Sequence, residues 1–313
     1  MNPRFSVVIP FLDEAASLDE LYHRLVAALE PLGRFELIFI DDGSTDQSWA
    51  VAERLFQADQ RVSLVKFRRN LGKSAALAVG FQRARGEIVI TIDADLQDEP
   101  NEIAKLVAAL DRWDLVTGWK QQRNDPWTKR LPSKVFNGVA RILFGVRLND
   151  LNSGLKVLRA DVAKSIDLYG EFHRFVPILA YLQGWRVGEL PVQHHQRKYG
   201  QSKYGWKRFV RGALDLLTVA FLGRFSNRPL HLFGSIGLLC FSLGFLMALY
   251  LTIIWSQGQS IGQRPLLTFA VLLLLTGLQF LFTGLLAELI TSRSVPRRYP
   301  VERVLDRQHG DDR

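Results

Sequence analysis

Two long uncharged stretches near the end of the chain, Leu230–Trp255 and Leu266–Ala287, constrain it more than any other feature. At 1.5 Å rise per residue, about 26 and 22 helical residues can each cross a hydrocarbon core roughly 30 Å thick. A buried helical hairpin of a soluble protein is the plain alternative. Two near-continuous apolar runs parted by only a short polar segment argue against it. About 230 residues precede the pair, enough for one substantial α/β domain. The expected layout is a folded domain over 1–204 and a juxtamembrane amphipathic helix over 205–229. A two-helix membrane domain follows over 230–290, then a basic cytoplasmic tail over 291–313.

The placement of charge sets an orientation. The net charge is +9, yet charge almost vanishes between Arg228 and Glu288. Arg197, Lys198, Lys203, Lys207, Arg208, Arg211, Arg224 and Arg228 approach the first run, and Arg293, Arg297 and Arg298 follow the second. The segment between them, SQGQSIGQRP, holds only Arg264. The positive-inside rule therefore puts both termini in the cytoplasm and the short loop outside. Anionic membrane lipids account for these basic residues better than nucleic acid does, since the chain shows no zinc pattern and no recognition-helix motif. The single cysteine, Cys240, lies in the first run, so neither a disulfide framework nor a cysteine metal site is expected. Met1–Pro10 leads straight into a strand-like FSVVIP, without the basic and apolar regions of a signal peptide.

Upstream, strand-like and helix-like segments alternate. Phe5–Pro10, Phe35–Ile40, Val62–Lys66 and Glu87–Ile92 read as strands, and Ser17–Leu29, a segment through Leu55, and Lys73–Ala84 as helices. This pattern predicts a mostly parallel central sheet with helices on its faces. Asp46 is expected to cap the second helix by accepting an orphan amide. Between Leu115 and Leu190 the pattern loosens: Leu115–Thr117, Gly154–Leu158 and Arg186–Glu189 are candidate strands, and Phe175–Gln183 a helix. In Gly205–Phe225, Trp206, Phe209, Val210, Leu214, Leu217 and Phe221 can share one apolar stripe. That stripe suits either an interfacial helix or a helix packed on the domain.

Acidic loops follow two of the strands, at the strand ends where open α/β sheets place ligands. Asp93-Ala94-Asp95 would point its carboxylates to opposite faces if the strand continued, whereas a turn would let both approach one divalent ion. Such an ion could join carboxylate to diphosphate and stabilise a departing nucleotide. Asp41, Asp42, Gly43 and Ser44 form a second loop, able to accept hydrogen bonds from a base or ribose or simply to cap the next helix. Neither loop is a Walker motif, and no GxGxxG fingerprint is present, which weakens ATPase and dehydrogenase readings.

The segments FSVVIPFLDEAAS, DDGSTD, RRNLGKSAAL, DADLQDEP, DLNSGLKVLR, EFHRF and QRKYGQSKY, in this order, resemble family 2 glycosyltransferases. The closer resemblance is to the polyprenyl-phosphate branch, which includes dolichyl-phosphate mannose synthases and bactoprenol glucosyltransferases. It implies an α/β GT-A domain, a nucleotide diphosphate sugar as donor, a polyprenyl phosphate as acceptor, and Mg²⁺ or Mn²⁺ as cofactor. It also implies a bacterial inner membrane location. By the resemblance, Pro10, Asp13 and Glu14 match the first donor loop, although Asp13 stands where the family commonly has asparagine. Asp42 matches the acid that recognises the base, and Lys73 lies in the adjoining nucleotide segment. Asp93, Ala94, Asp95 and Gln97 match the metal and diphosphate region, with Asp93 and Asp95 as metal ligands. Ser153 and Gly154 match the loop closing around the donor sugar. Glu171, His173 and Arg174 match the acceptor side, and Arg197, Ser202 and Lys203 a loop that closes near the phosphates.

The resemblance further implies inverting transfer, most simply of glucose from UDP-glucose to undecaprenyl phosphate. A polyprenyl phosphate is already anionic near neutral pH, so positioning two negative substrates matters more than a strong base. Arg174, Arg197 and Lys203 are candidate phosphate ligands, with Asp93, Asp95, Arg174 and Lys203 the expected catalytic set. His173 can bind phosphate when protonated or pack beside Phe172 and Phe175. Gly237, Gly244 and Ala248, or Gly277 and Gly284, would permit close helix packing or a homo-oligomer. A GDP-mannose or amino-sugar donor, a processive polysaccharide synthase and a non-enzymatic membrane scaffold are the alternatives. The QxxRW-type signature expected of the processive enzymes is absent.

Overall fold

A computed structural model describes residues 3–121, 144–146, 148–195, 218, 229–262 and 264–293, with residues 291–293 described by backbone alone. These fall into two compact units, one within 1–219 and one within 220–298. The expected helix over Gly205–Phe225, the basic tail, and Arg197, Ser202 and Lys203 lie outside the described residues.

The first unit is built on a seven-stranded sheet: β1 (Phe5–Phe11), β2 (Phe35–Asp41), β3 (Val62–Lys66), β4 (Ile88–Thr91), β5 (Leu115–Lys120), β6 (Lys156–Arg159) and β7 (Val187–Val192). Their order is β3-β2-β1-β4-β6-β5-β7. Every residue of β1 and β2 is buried, which explains runs that are apolar apart from Ser6, Glu36 and Asp41: a parallel sheet covered on both faces leaves no side for alternation. Among the described residues, the helices of this unit are α1 (Leu18–Leu29), α2 (Ser48–Ala58), α3 (Lys73–Arg83), α4 (Ile103–Ala108), α5 (Ala160–Ser165) and α6 (Val176–Leu182). Leu18, Leu21, Leu25 and Leu29 are the buried stripe of α1, at the spacing a helix face requires. The core runs from these leucines through Phe5, Val7, Ile9, Leu37 and Phe39 to Ile103, Leu106 and Val157.

One strand breaks the parallel order and thereby completes the site. β6 runs antiparallel to both β4 and β5, while β5 and β7 are parallel. The approach to β6, residues 150–155, therefore arrives at the edge where β1, β2, β4, β5 and β7 leave. The expected strand starting at Gly154 begins at Lys156 instead, because the Gly154 carbonyl is taken by the Thr91 hydroxyl at 2.8 Å rather than by a ladder. β5 and β7 extend beyond their expected ends to Lys120 and Val192, pairing with each other along their full length. The short helices α4 and α5 carry too few residues for a legible period and were not anticipated.

The second unit is a hairpin of two helices, α7 (Pro229–Ser256) and α8 (Pro265–Arg293). Proline at the first position of each suits a helix start, where its missing N–H costs nothing. α7 stops at a glycine: Gly258, at φ 80°, lets its own N–H reach Trp255 O (3.0 Å) and the Gln259 N–H reach Ile254 O (3.3 Å). Only 17% of the most apolar window of either helix is buried. A core helix of a soluble protein would be largely covered, so these are two candidate membrane-spanning helices. Where they meet they meet closely, since a β-carbon on Gly277 would stand 2.6 Å from Phe241 N and 2.7 Å from Gly237 O. The glycines read as packing or oligomer positions are thus occupied within the chain. Glu288 accepts from Leu230 N at 3.3 Å, which satisfies one orphan amide at the start of α7.

Candidate active site

Two strand-end loops are tied together at one edge of the sheet. The segment after β1 is laced to the segment after β2: Asp13 N donates to Ser44 Oγ (3.0 Å), Glu14 N to Ser48 Oγ (2.8 Å) and Thr45 N to Asp13 Oδ1 (2.9 Å). Asp13 holds φ 55°, a conformation an L-residue adopts at some cost and that Asp tolerates better than most. Asp46 accepts from Ser48 N at 2.9 Å and so satisfies an orphan amide of α2, but from one residue ahead of the N-cap, Gln47, which makes no side-chain cap bond. Asp42 is buried, and its Oδ1 accepts from Leu71 N (2.8 Å) and Gly72 N (3.1 Å). Burial pushes its carboxyl above the ordinary value, the two amides opposing. Asp42 thereby pins the entry to α3 and fixes Lys73 at the first turn of that helix.

The strand before Asp93 ends at Thr91, and a turn follows over residues 94–96. The segment therefore turns here instead of continuing as a strand. Leu96 is buried at φ 59°, and Gln97 N donates to Asp95 Oδ1 at 3.3 Å. Lys73 Nζ donates to Asp93 Oδ1. Ala94 is buried beneath the turn.

Residues not singled out from sequence complete the edge. Asp98 is fully buried, with Lys120 Nζ and His194 Nδ1 each 3.4 Å from its Oδ1. Burial would raise its carboxyl, but Lys120, His194 and Lys73 outweigh that and hold it well below the ordinary range. Burial likewise works to lower Lys120, and Asp98, Asp93, Asp150 and Asp95 together raise it. Lys156, also buried, donates to the Ser153 carbonyl; burial and then Lys73 push its ammonium down to about 8, against Asp93, Asp98 and Asp150. Three lysines and four aspartates therefore share one edge of the sheet. A lysine inside the apolar strand GLKVLR was the signal available for Lys156, whereas Asp98, Lys120 and His194 meet only through topology. The Ser153 hydroxyl is buried and donates to Leu155 O (3.4 Å).

The segment around His173, which the resemblance assigns to the acceptor side, docks on α3. Ser74 Oγ accepts from His173 N (2.9 Å) and lies 3.1 Å from His173 Nδ1. Arg174 pairs with Glu171 at 2.6 Å and is mostly covered. Past β7, His195 N donates to Gln97 O (2.8 Å), tying the chain that leads to residue 197 onto the aspartate loop. Pro10 lies in β1 beneath the same edge.

The edge therefore offers oxygen ligands, fixed cations and a pinned helix start, which suits a phosphate-rich substrate. Residues 6–165 match the family model "Glycosyl transferase family 2", and residues 228–292 match "GtrB C-terminal hairpin". The dodecaprenyl-phosphate galacturonate synthase of Rhizobium johnstonii is 40% identical over 293 residues, covering 91% of this chain and 87% of the relative. The chain belongs to glycosyl transferase family 2. Within it the chain lies in the polyprenyl-phosphate sugar transferase branch. This glycosyltransferase is also 39% identical over 292 residues to the undecaprenyl-phosphate 4-deoxy-4-formamido-L-arabinose transferase of Edwardsiella ictaluri, with 91% and 88% of the two chains covered. Its fold is shared with Mycobacterium tuberculosis glucosyl-3-phosphoglycerate synthase, solved with Mn²⁺ and UDP-glucose: TM-score 0.52, 21% identity, 70% of this chain and 79% of that one.

Proposed function

We propose that this glycosyltransferase moves a sugar from a nucleoside diphosphate to the phosphate of a polyprenyl phosphate, at the membrane its hairpin enters. One observation carries the reading: the strand edge holding Asp93, Asp95, Lys73, Lys120 and Lys156 occurs in a chain that also carries a hairpin of GtrB type. Two anionic substrates would meet there, and the lysines would offset their repulsion.

The ligands present suit Mg²⁺ or Mn²⁺. They are oxygen atoms, and no group of three His, Cys, Asp or Glu side chains gathers among the described residues. A hard cation held by one or two carboxylates and completed by substrate phosphates has this donor set. Asp93 and Asp95 would hold it, and when bound it would supply charge against the departing nucleoside diphosphate. Lys73 stands beside Asp93 to share the diphosphate. Arg174, oriented by Glu171, would take the acceptor phosphate, with Arg197 and Lys203 closing from the following segment. The acceptor oxygen needs no strong base, and in-line attack inverts the anomeric centre.

UDP-glucose with undecaprenyl phosphate is the substrate pair favoured by the sequence resemblance. The names of the two relatives support uronic and amino sugars as the second reading. Full-length enzyme in lipid nanodiscs, given undecaprenyl phosphate and UDP-glucose, UDP-galacturonate, UDP-4-deoxy-4-formamido-L-arabinose or GDP-mannose with Mg²⁺ or Mn²⁺, decides between them. Mass measurement of the lipid product names the sugar. Folded enzyme that makes no sugar phospholipid from any donor would overturn the proposal.

A further inference from the structure

The three lysines of the edge differ in how they are held. Lys156 is buried and bonded to a main-chain carbonyl, and Lys120 is largely covered beside Asp98. Lys73 is on an aspartate of the proposed metal pair, and both partners are about one-third exposed, 33% and 31%. Its backbone is fixed on either side. Asp42 holds the amides of Leu71 and Gly72, and Ser74 is bonded to His173. Between these two anchors the four-carbon stem can turn while the helix stays in place.

We infer that Lys73 is the resting counter-cation of Asp93, exchanged from that carboxylate to a diphosphate oxygen when a divalent ion and a nucleoside diphosphate enter together. The inference rests on the sugar-transfer reading above. A divalent ion arriving alone must displace the ammonium from Asp93 and then face it unpaired at close range. An ion arriving with diphosphate brings new oxygen partners for that ammonium. Lys73 would therefore weaken binding of the metal alone and strengthen binding of metal and nucleotide together, a coupling that acts equally on both ligands.

Mn²⁺ binding to the full-length protein in nanodiscs, read by the loss of the free-ion paramagnetic resonance signal, tests this without turnover. Titrations run with Mn²⁺ alone and again with saturating UDP or GDP, whichever binds the wild type. The expected result for Lys73→Met is Mn²⁺ affinity about tenfold higher than wild type in the absence of nucleotide, with the gain from nucleotide reduced by at least as much. Lys73→Arg, which keeps the charge, should stay close to wild type, and Lys73→Gln repeats the test should the methionine variant fail to fold. Neutral variants whose Mn²⁺ affinity alone is unchanged or weaker would overturn the inference and leave the sugar-transfer reading standing. Wild type that binds neither Mn²⁺ nor a nucleotide would overturn both.

Discussion

A β-carbon on Gly154 would stand 2.5 Å from the Asp93 carboxyl carbon, and equally close to Asp98 Oδ2. Glycine is required there by the approach of two carboxylates rather than by its backbone angles. Gly154→Ala must push both aspartates or the loop itself aside, at about 1–3 kcal/mol of overpacking. Displacing a reacting group by about 1 Å can cost roughly 100-fold in rate, so turnover should fall far more than the melting temperature suggests. Turnover within twofold of wild type would show that the loop moves freely away from Asp93.

Asp98 is the buried anion on which Lys120 and His194 converge. Asp98→Asn keeps the shape and removes the charge, leaving Lys120 covered with less compensation. Breaking one partner of such a buried pair costs about 3 kcal/mol. Thermal melting in detergent micelles should show the loss, and Asp98→Glu should not rescue it, because the site has no room for a longer side chain beside Gly154. A melting temperature equal to wild type would mean that Lys120 finds equal compensation from Asp93, Asp95 and Asp150.

Asp114 gives the fold a dependence on acid. It accepts from Arg186 N (2.9 Å), Nε (3.0 Å) and Nη2 (2.8 Å), and Arg159 Nε lies 3.4 Å away. The Arg186 hydrogen bonds, against burial, hold its carboxyl below the ordinary 3.8. A carboxyl with a depressed folded-state value stabilises the fold above its unfolded value, and that contribution fades as the pH falls through the folded value. Asp114→Asn should therefore cost about 1–2 kcal/mol near pH 7, with the gap to wild type closing below about pH 4. A gap that widens with acid would contradict the sign.

In the membrane hairpin, Gly277→Val places a branched side chain against Phe241 N and Gly237 O. Backbone atoms cannot rotate aside, so the helices must separate, at a cost of about 1–3 kcal/mol. The expected outcome is a lower melting temperature of the full-length protein in micelles. Gly262→Val, in the connecting segment where a β-carbon meets nothing within 4 Å, is the matched control and should melt as wild type. Equal melting of the two variants would deny the seam.

The parts of this molecule legible in its sequence are those written by local periodicity and local chemistry. Leu18, Leu21, Leu25 and Leu29 announce α1, and the apolar runs through Val7 and Leu37 announce buried parallel strands. The Asp93 loop was legible because a strand led into it. The convergence of Asp98, Lys120, Lys156 and His194 was not, because it depends on β6 entering the sheet backwards between β4 and β5. Strand direction leaves no mark on residue spacing. Asp42, expected from the resemblance to recognise a base, also accepts from the amides of Leu71 and Gly72, a use that spacing alone does not show. Acids at loop starts serve neighbouring amides as readily as substrates, and only geometry separates the two uses.

The glycine seam between α7 and α8 has a consequence for how the anchor behaves on dilution. Gly237, Gly244, Gly277 and Gly284 all face the other helix of the same chain, where their missing side chains are filled. Among the described residues, the outward surface is left to bulky side chains such as Leu239, Phe245, Leu272 and Leu286. A single protomer can therefore close its tightest membrane packing before it meets a second one. Its hold on the bilayer should not weaken as copies become sparse.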